Sequence, residues 1–168
     1  MDKIRQALKE IKGLDAGLIK KAQARLDSLT KPQGSLGILE ELARQIAAIS
    51  GTLNPSLNHK VIFTLAADHG VNAEKISAYP KEVTAQMVYN FLRGGAGINV
   101  LAKHIGSEVI VADMGVAEKI SAAGGPNNFK DKKIALGTKN MAQGPAMSRD
   151  EAIKSIEAGM EIFEDEYG

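Results

Sequence analysis

The sequence predicts a three-layer α/β fold, a parallel sheet between helices, preceded by a small helical subdomain. Three observations lead there. Short runs of strand length alternate with amphipathic helical stretches, and that alternation implies parallel pairing. The runs are continuously apolar, the pattern of strands buried on both faces. The N-terminal part carries helical periodicity alone, which sets residues 1–52 apart from an α/β segment at 53–168.

Asp15 is the expected N-cap of a helix with apolar residues at Leu18, Ala22, Leu26 and Leu29. Lys31-Pro32-Gln33-Gly34 breaks it, since Pro and Gly together disfavour continuation. Ser35 is expected to cap the next helix, striped by Leu36, Leu39, Leu42, Ala43, Ile46 and Ile49 and ended by Gly51. Val61 to Ala67 is the first buried strand, running into Asp68-His69-Gly70-Val71. Pro80 then suits a helix start, with Val83, Met87, Val88 and Phe91 facing inward up to Arg93-Gly94-Gly95. A short helix follows (Ile98, Leu101, Ile105), then a second strand, Glu108 to Asp113, and a third, Lys133 to Leu136. Ser148 and Glu151 form a capping box opening a last helix striped by Ile153, Ile156, Met160 and Phe163. Three strands are few for a covered sheet, and no strand follows the last helix, so the chain is expected to be incomplete.

Composition narrows the function classes. Lys plus Arg number 21 against 20 Asp plus Glu, a net charge of +1 that lacks the basic excess of a nucleic-acid binder. No stretch reaches the roughly 20 apolar residues of a membrane span, and no apolar run follows Met1-Asp2-Lys3 as a signal peptide requires. The absence of Cys removes disulfides, thiolate zinc sites and thiol catalysis, so the expected setting is the cytoplasm. His59, His69 and His104 lack metal-ligand spacing, and there is neither a Gly-x-Ser-x-Gly elbow nor a Walker A pattern. Arg93-Gly94-Gly95-Ala96-Gly97 lies between two helices and follows no strand, so a helix–helix turn is the better reading than a dinucleotide loop.

In open α/β sheets ligands bind beyond the carboxyl ends of the strands. Here those ends carry Asp68-His69-Gly70, Asp113-Met114-Gly115 and Gly137-Thr138-Lys139-Asn140. Any one Asp in such a loop is more readily a loop cap than a ligand group. Tyr79, Pro80, Gln86 and Met87 would open a helix beside the first strand's carboxyl end. They shape an apolar slot for a flat heteroaromatic ring, with ordinary core packing as the competing reading for Val83, Met87 and Phe91.

Five ordered blocks carry a resemblance: Lys31-Pro32-Gln33-Gly34-Ser35-Leu36-Gly37, Ala67 to Val71, Tyr79-Pro80-Lys81-Glu82-Val83-Thr84, Gly94 to Val100, and Gly137 to Ser148. Together they resemble the nicotinate-nucleotide–dimethylbenzimidazole phosphoribosyltransferase family, along essentially the whole chain but only the N-terminal half of the family's length. The resemblance implies a Rossmann-like parallel sheet with a small helical domain, assembled as a homodimer, and no cofactor or metal. It implies transfer of phosphoribose from nicotinate mononucleotide to 5,6-dimethylbenzimidazole, giving α-ribazole 5′-phosphate and nicotinate for the lower ligand of cobalamin. Tyr79 would bound the benzimidazole, Gln86 and Met87 would line its slot, Ser77 is a further candidate, and Asp68, Thr138 and Asn140 would face the shared cleft. The family's general-base glutamate and its Gly-Glu and Asn-Thr-Thr phosphate stretch lie beyond this chain. No catalytic residue is therefore expected here, and Glu82, Glu151 and Glu157 read as solvated or capping carboxylates. Three functional readings stand side by side: half of an enzyme completed by a C-terminal half, a non-catalytic benzimidazole-binding module, and a structural fragment with an exposed sheet edge that self-associates.

Overall fold

Local capping chemistry sets the helical N-terminal segment. The Asp15 carboxylate accepts from Gly17 N at 2.7 Å and Leu18 N at 3.1 Å, satisfying two orphan donors of α2 (Ala16–Asp27). In this computed structural model, which describes residues 2–121 and 128–167, α1 (Asp2–Glu10) precedes it and α3 (Ile38–Ser50) follows. Gly51 ends α3 in the left-handed region, at φ 69°. Ser35 does not cap α3. The helix begins after Gly37, and residues 33–37 are tight turns in which Ser35 N donates to Pro32 O and Gly37 N to Gly34 O. Buried Glu40 ties that loop to the helix, accepting from Lys31 Nζ at 2.7 Å and Leu36 N at 3.2 Å.

The chain divides into two compact units, Arg5–His59 and Met1–Ile4 with Lys60–Gly168. Within the first, the buried residues are small: Ala22 on α2, and Ala47 and Ala48 on α3. The larger members of the expected stripe, Leu36, Leu39, Leu42 and Ile49, remain exposed.

In the second unit, β1 (Val61–Ala67) pairs in parallel with β2 (Glu108–Gly115), which pairs in parallel with β3 (Phe129–Asp131), in the order β1–β2–β3. Side chains alternate across β2 as its pleat requires. Val109 and Val111 pack with Ala85, Val88 and Ala102 of α4 (Glu82–Leu92) and α5 (Gly97–His104). Ile110 and Ala112 pack with Ile162 of α6 (Arg149–Tyr167). Helices thus cover both faces of a parallel sheet, the predicted three-layer α/β arrangement.

Several expectations need correction. β1 is half-buried rather than enclosed, with Leu65 56% exposed, because only β2 pairs with it among the described residues. The third strand is Phe129–Asp131, not residues 133–136. Beyond Asp131 the backbone still follows β2 through Lys132 N to Asp113 O and Ile134 N to Met114 O, but it carries no ladder. On α4, Met87 is exposed at 37% while Ala85 and Val88 are buried. On α5 Ala102 is buried and Leu101 exposed, and on α6 Ala158 and Ile162 replace Ile156 and Phe163 as the buried face. The Gly94–Gly97 stretch is a helix–helix turn. Asn99 accepts there from Ala96 N at 3.2 Å and donates to Phe91 O at 3.1 Å.

Candidate functional site

Two loops meet over the carboxyl end of β1. Thr138 N donates to Asp68 O, and Gly70 N donates to Thr138 O, each at 3.0 Å, so residues 68–70 and 138 form a single parallel bridge. Gly70 is what allows this approach. A Cβ there would lie 2.6 Å from Asn140 N and from the Lys139 carbonyl carbon. Gly137, at φ 96°, occupies a conformation that a side chain disfavours, and a Cβ would also press on Asp68 O at 3.0 Å.

The strand-end carboxylates hold backbone. Asp68 Oδ2 accepts from Ala117 N at 2.7 Å, and Asp68 N donates to Gly115 O at 3.0 Å. Asp113, only 1% exposed, accepts from Gly115 N and Val116 N through Oδ1, at 3.0 and 2.8 Å. Its Oδ2 lies 2.8 Å from Lys133 Nζ, an ion pair, while the ammonium donates to Val116 O and Glu118 O. Loop capping and site lining therefore coexist at Asp68.

Beside this bridge opens a cleft of 690 Å³ whose lining includes Asp68, Thr138, Ser77 and Tyr79. A second cleft of 730 Å³ shares Asp68, Ser77 and Tyr79 and adds Met87, Val83 and Phe91, giving it an apolar wall. Tyr79 is 70% exposed, and Ser77 Oγ accepts from Tyr79 N at 3.1 Å, which fixes the turn that presents the ring. Five of the seven expected site residues thus line one continuous region. Asn140 does not join them: it bonds Glu74 Oε1 at 2.6 Å and lines a separate 450 Å³ hollow with Lys139. Gln86 is exposed on α4 and lines none of these clefts.

A smaller cavity of 240 Å³ lies behind the 137–139 loop, between Met114, Ile134 and Met147. Glu151 borders it, accepting from Ser148 N at 2.7 Å while Glu151 N donates to Ser148 Oγ at 3.2 Å. The two reciprocal bonds form the expected capping box, and hydrogen bonds to the carboxyl from the Ser148 backbone first and its hydroxyl second hold Glu151 below its ordinary range. Among the described residues no three His, Asp, Glu or Cys side chains gather as a metal-binding group, and no helix is long and apolar enough to cross a membrane.

The residue reading missed Gly70, Gly137, Ala117 and Lys133 as site-building positions. Lys133 gave no signal, since it follows Lys130-Asp131-Lys132 and reads as the last residue of a charged run. Gly70 gave only its place directly after a strand-end Asp-His.

Comparison with known proteins bears on this geometry. The family model described as phosphoribosyltransferase matches residues 11–168. The chain is 57% identical over 162 residues to the nicotinate-nucleotide–dimethylbenzimidazole phosphoribosyltransferase of Geobacter metallireducens, covering 96% of this chain and 45% of that one. It is 50% identical over 166 residues to the protein of the same name from Desulforudis audaxviator, covering 99% and 46%. A crystal structure of the Thermus thermophilus protein of that name superposes with a TM-score of 0.83 at 44% identity, over 92% of this chain and 46% of that one. The chain spans about half the length of the curated relatives it matches.

Proposed function

The chain belongs to the phosphoribosyltransferase family, and from that membership we propose that it builds one wall of an enzyme joining phosphoribose to 5,6-dimethylbenzimidazole. The donor is nicotinate mononucleotide. A benzimidazole nitrogen attacks C1′, the C1′–N bond to nicotinate breaks, and its electron pair stays on the departing pyridine nitrogen. The configuration inverts from β to α, and the proton on the other benzimidazole nitrogen passes to a glutamate encoded outside this chain. Products are α-ribazole 5′-phosphate and nicotinate, which serve cobalamin lower-ligand synthesis. Rate acceleration rests on aligning two flat bases about one ribose and on proton removal by a placed carboxylate.

The observation that carries this reading is the shared cleft. Asp68 and the exposed Tyr79 border both the cleft with an apolar wall of Met87, Val83 and Phe91 and the cleft that reaches Thr138. A flat bicyclic base suits the first side, a ribose the second. Ser77 closes the turn that positions Tyr79. Asn140 and Gln86 act outside this cleft in the chain alone, and a contact with substrate would need a surface supplied by the remaining length. We assign the protein to the cytoplasm, consistent with its lack of Cys, and to a homodimer or a pairing with a C-terminal half.

Mixing the chain with a C-terminal half and assaying α-ribazole 5′-phosphate tests the proposal. Product is expected, and none under saturating substrates overturns it. A binding module without chemistry would instead give calorimetric heat with dimethylbenzimidazole and no product from the mixture. In either case Tyr79→Ala should weaken the heat signal by about tenfold in affinity, the scale of losing an aromatic contact. Unchanged binding removes Tyr79 from the slot.

A further inference from the structure

We propose that Lys133 is a positioning residue for the cleft, acting through Asp113 and the 114–118 loop to hold the Asp68 carboxylate for the ribose hydroxyls of the nucleotide donor. The inference deepens the function proposed above and rests on it.

Lys133 has three ammonium protons and three acceptors within reach: the carbonyls of Val116 and Glu118, and Asp113 Oδ2 at 2.8 Å. Asp113 in turn is held through Oδ1, which takes Gly115 N and Val116 N, while its buried Oδ2 accepts no hydrogen bond and is balanced by the Lys133 charge alone. Its side chain is 1% exposed and that of Lys133 19%, so little water competes for these contacts. The cluster resists displacement, because moving Lys133 away would leave the buried Asp113 charge without its counter-ion. It fixes the backbone from Gly115 to Glu118, and the next group in the chain of contacts is Ala117 N, which holds Asp68 Oδ2 at 2.7 Å. Asp68 lines both clefts, and its Oδ1 has no partner among the described residues. One oxygen clamped and the other offered is the geometry for accepting a hydroxyl proton. A carboxylate repels the phosphate and carboxylate groups, and the ribose hydroxyls are the hydrogen-bond donors that ionised nicotinate mononucleotide offers to an accepting oxygen.

The test uses the chain paired with its C-terminal half and compares Lys133→Met combined with Asp113→Asn, which removes both charges together, in the native and the Asp68→Asn backgrounds. The proposal expects KM for nicotinate mononucleotide to rise about tenfold in the native background with a smaller change in kcat, on the scale of a weakened charged hydrogen bond. In the Asp68→Asn background the added effect should fall within about twofold, since the residue acted upon is already gone. A purely structural role lowers the melting temperature in both backgrounds but leaves KM alone. That result, or an equal KM rise in both backgrounds, overturns the assignment while the proposed function stands. No product from the unmodified pair overturns both. Should the double variant not fold, Lys133→Gln, which keeps a donor for the carbonyls, carries the same comparison.

Discussion

A single carbon at Gly70 decides whether the two strand-end loops can close. Its added Cβ would sit 2.6 Å from backbone atoms of residues 139 and 140, which cannot rotate away as a side chain can. Gly70→Ala should therefore destabilise the chain by about 1–3 kcal/mol, read as a lower urea midpoint, with the His69–Thr138 bridge opened. An unchanged midpoint would mean the loops do not approach as described. Glu40 gives a residue-scale prediction of a different kind. Its hydrogen bond from Lys31 first, and that from Leu36 N second, lower its pKa from the ordinary 4.5. A carboxyl lowered in the folded state adds stability above its unfolded value and loses it as pH falls through the folded one. Urea melts recorded below pH 4.5 should show part of the acid destabilisation vanish in Glu40→Gln. An identical pH profile in the variant contradicts the pairing.

At the scale of elements, what the sequence revealed was what neighbouring residues decide alone. Asp15, Gly51 and the Ser148–Glu151 box sit where expected because each cap is closed by backbone within a few residues. The span of β1 was legible for the same reason, an apolar run bounded by polar loops. Apart from Ser35, displaced by local turns at residues 33–37, the failures needed tertiary information. Residues 133–136 look like a strand, yet Lys133 pairs with Asp113 and the backbone runs beside the end of β2 without a ladder, where a Cβ on Gly115 would meet Ala135 O at 3.2 Å. The buried faces of α4, α5 and α6 include Ala85, Ala102 and Ala158 beside Val88 and Ile162, and which stripe faces the sheet is set by packing against β2. Among candidate site residues, Tyr79 was singled out from its place before Pro80 at a helix start, and Ser77 from the resemblance alone. Asn140 was drawn off by Glu74, a partner 66 positions away that no spacing announces. The corrected face of α6 is testable: Ile162→Ala, at 1% exposure, should cost about 2–5 kcal/mol, whereas Ile156→Ala, at 54%, should stay within about 0.5 kcal/mol. Equal costs in chemical denaturation would restore the predicted stripe.

At the scale of the molecule, the sheet is anchored at its middle and open at its margin. β2 is buried along most of its length and carries neighbours on both sides, while among the described residues β1 pairs on one side only and leaves Leu65 in solvent. An unpaired strand edge has free backbone donors and acceptors and is a template for another strand. In relatives about twice as long, the additional chain is available to satisfy that edge. Hydrogen exchange separates the two strands directly. In the chain alone, β2 amides from Val109 to Ala112 should exchange at the slow, global limit, and the amides on the outer edge of β1 should exchange markedly faster. Adding a C-terminal half should bring the β1 edge toward the β2 rate without altering β2. If β1 is already protected as strongly as β2 in the isolated chain, and protection falls on dilution, a second copy occupies the edge and the chain completes its sheet by self-association. Protection that is equal and independent of concentration would instead place a strand of this same chain beside β1, contrary to the order β1–β2–β3.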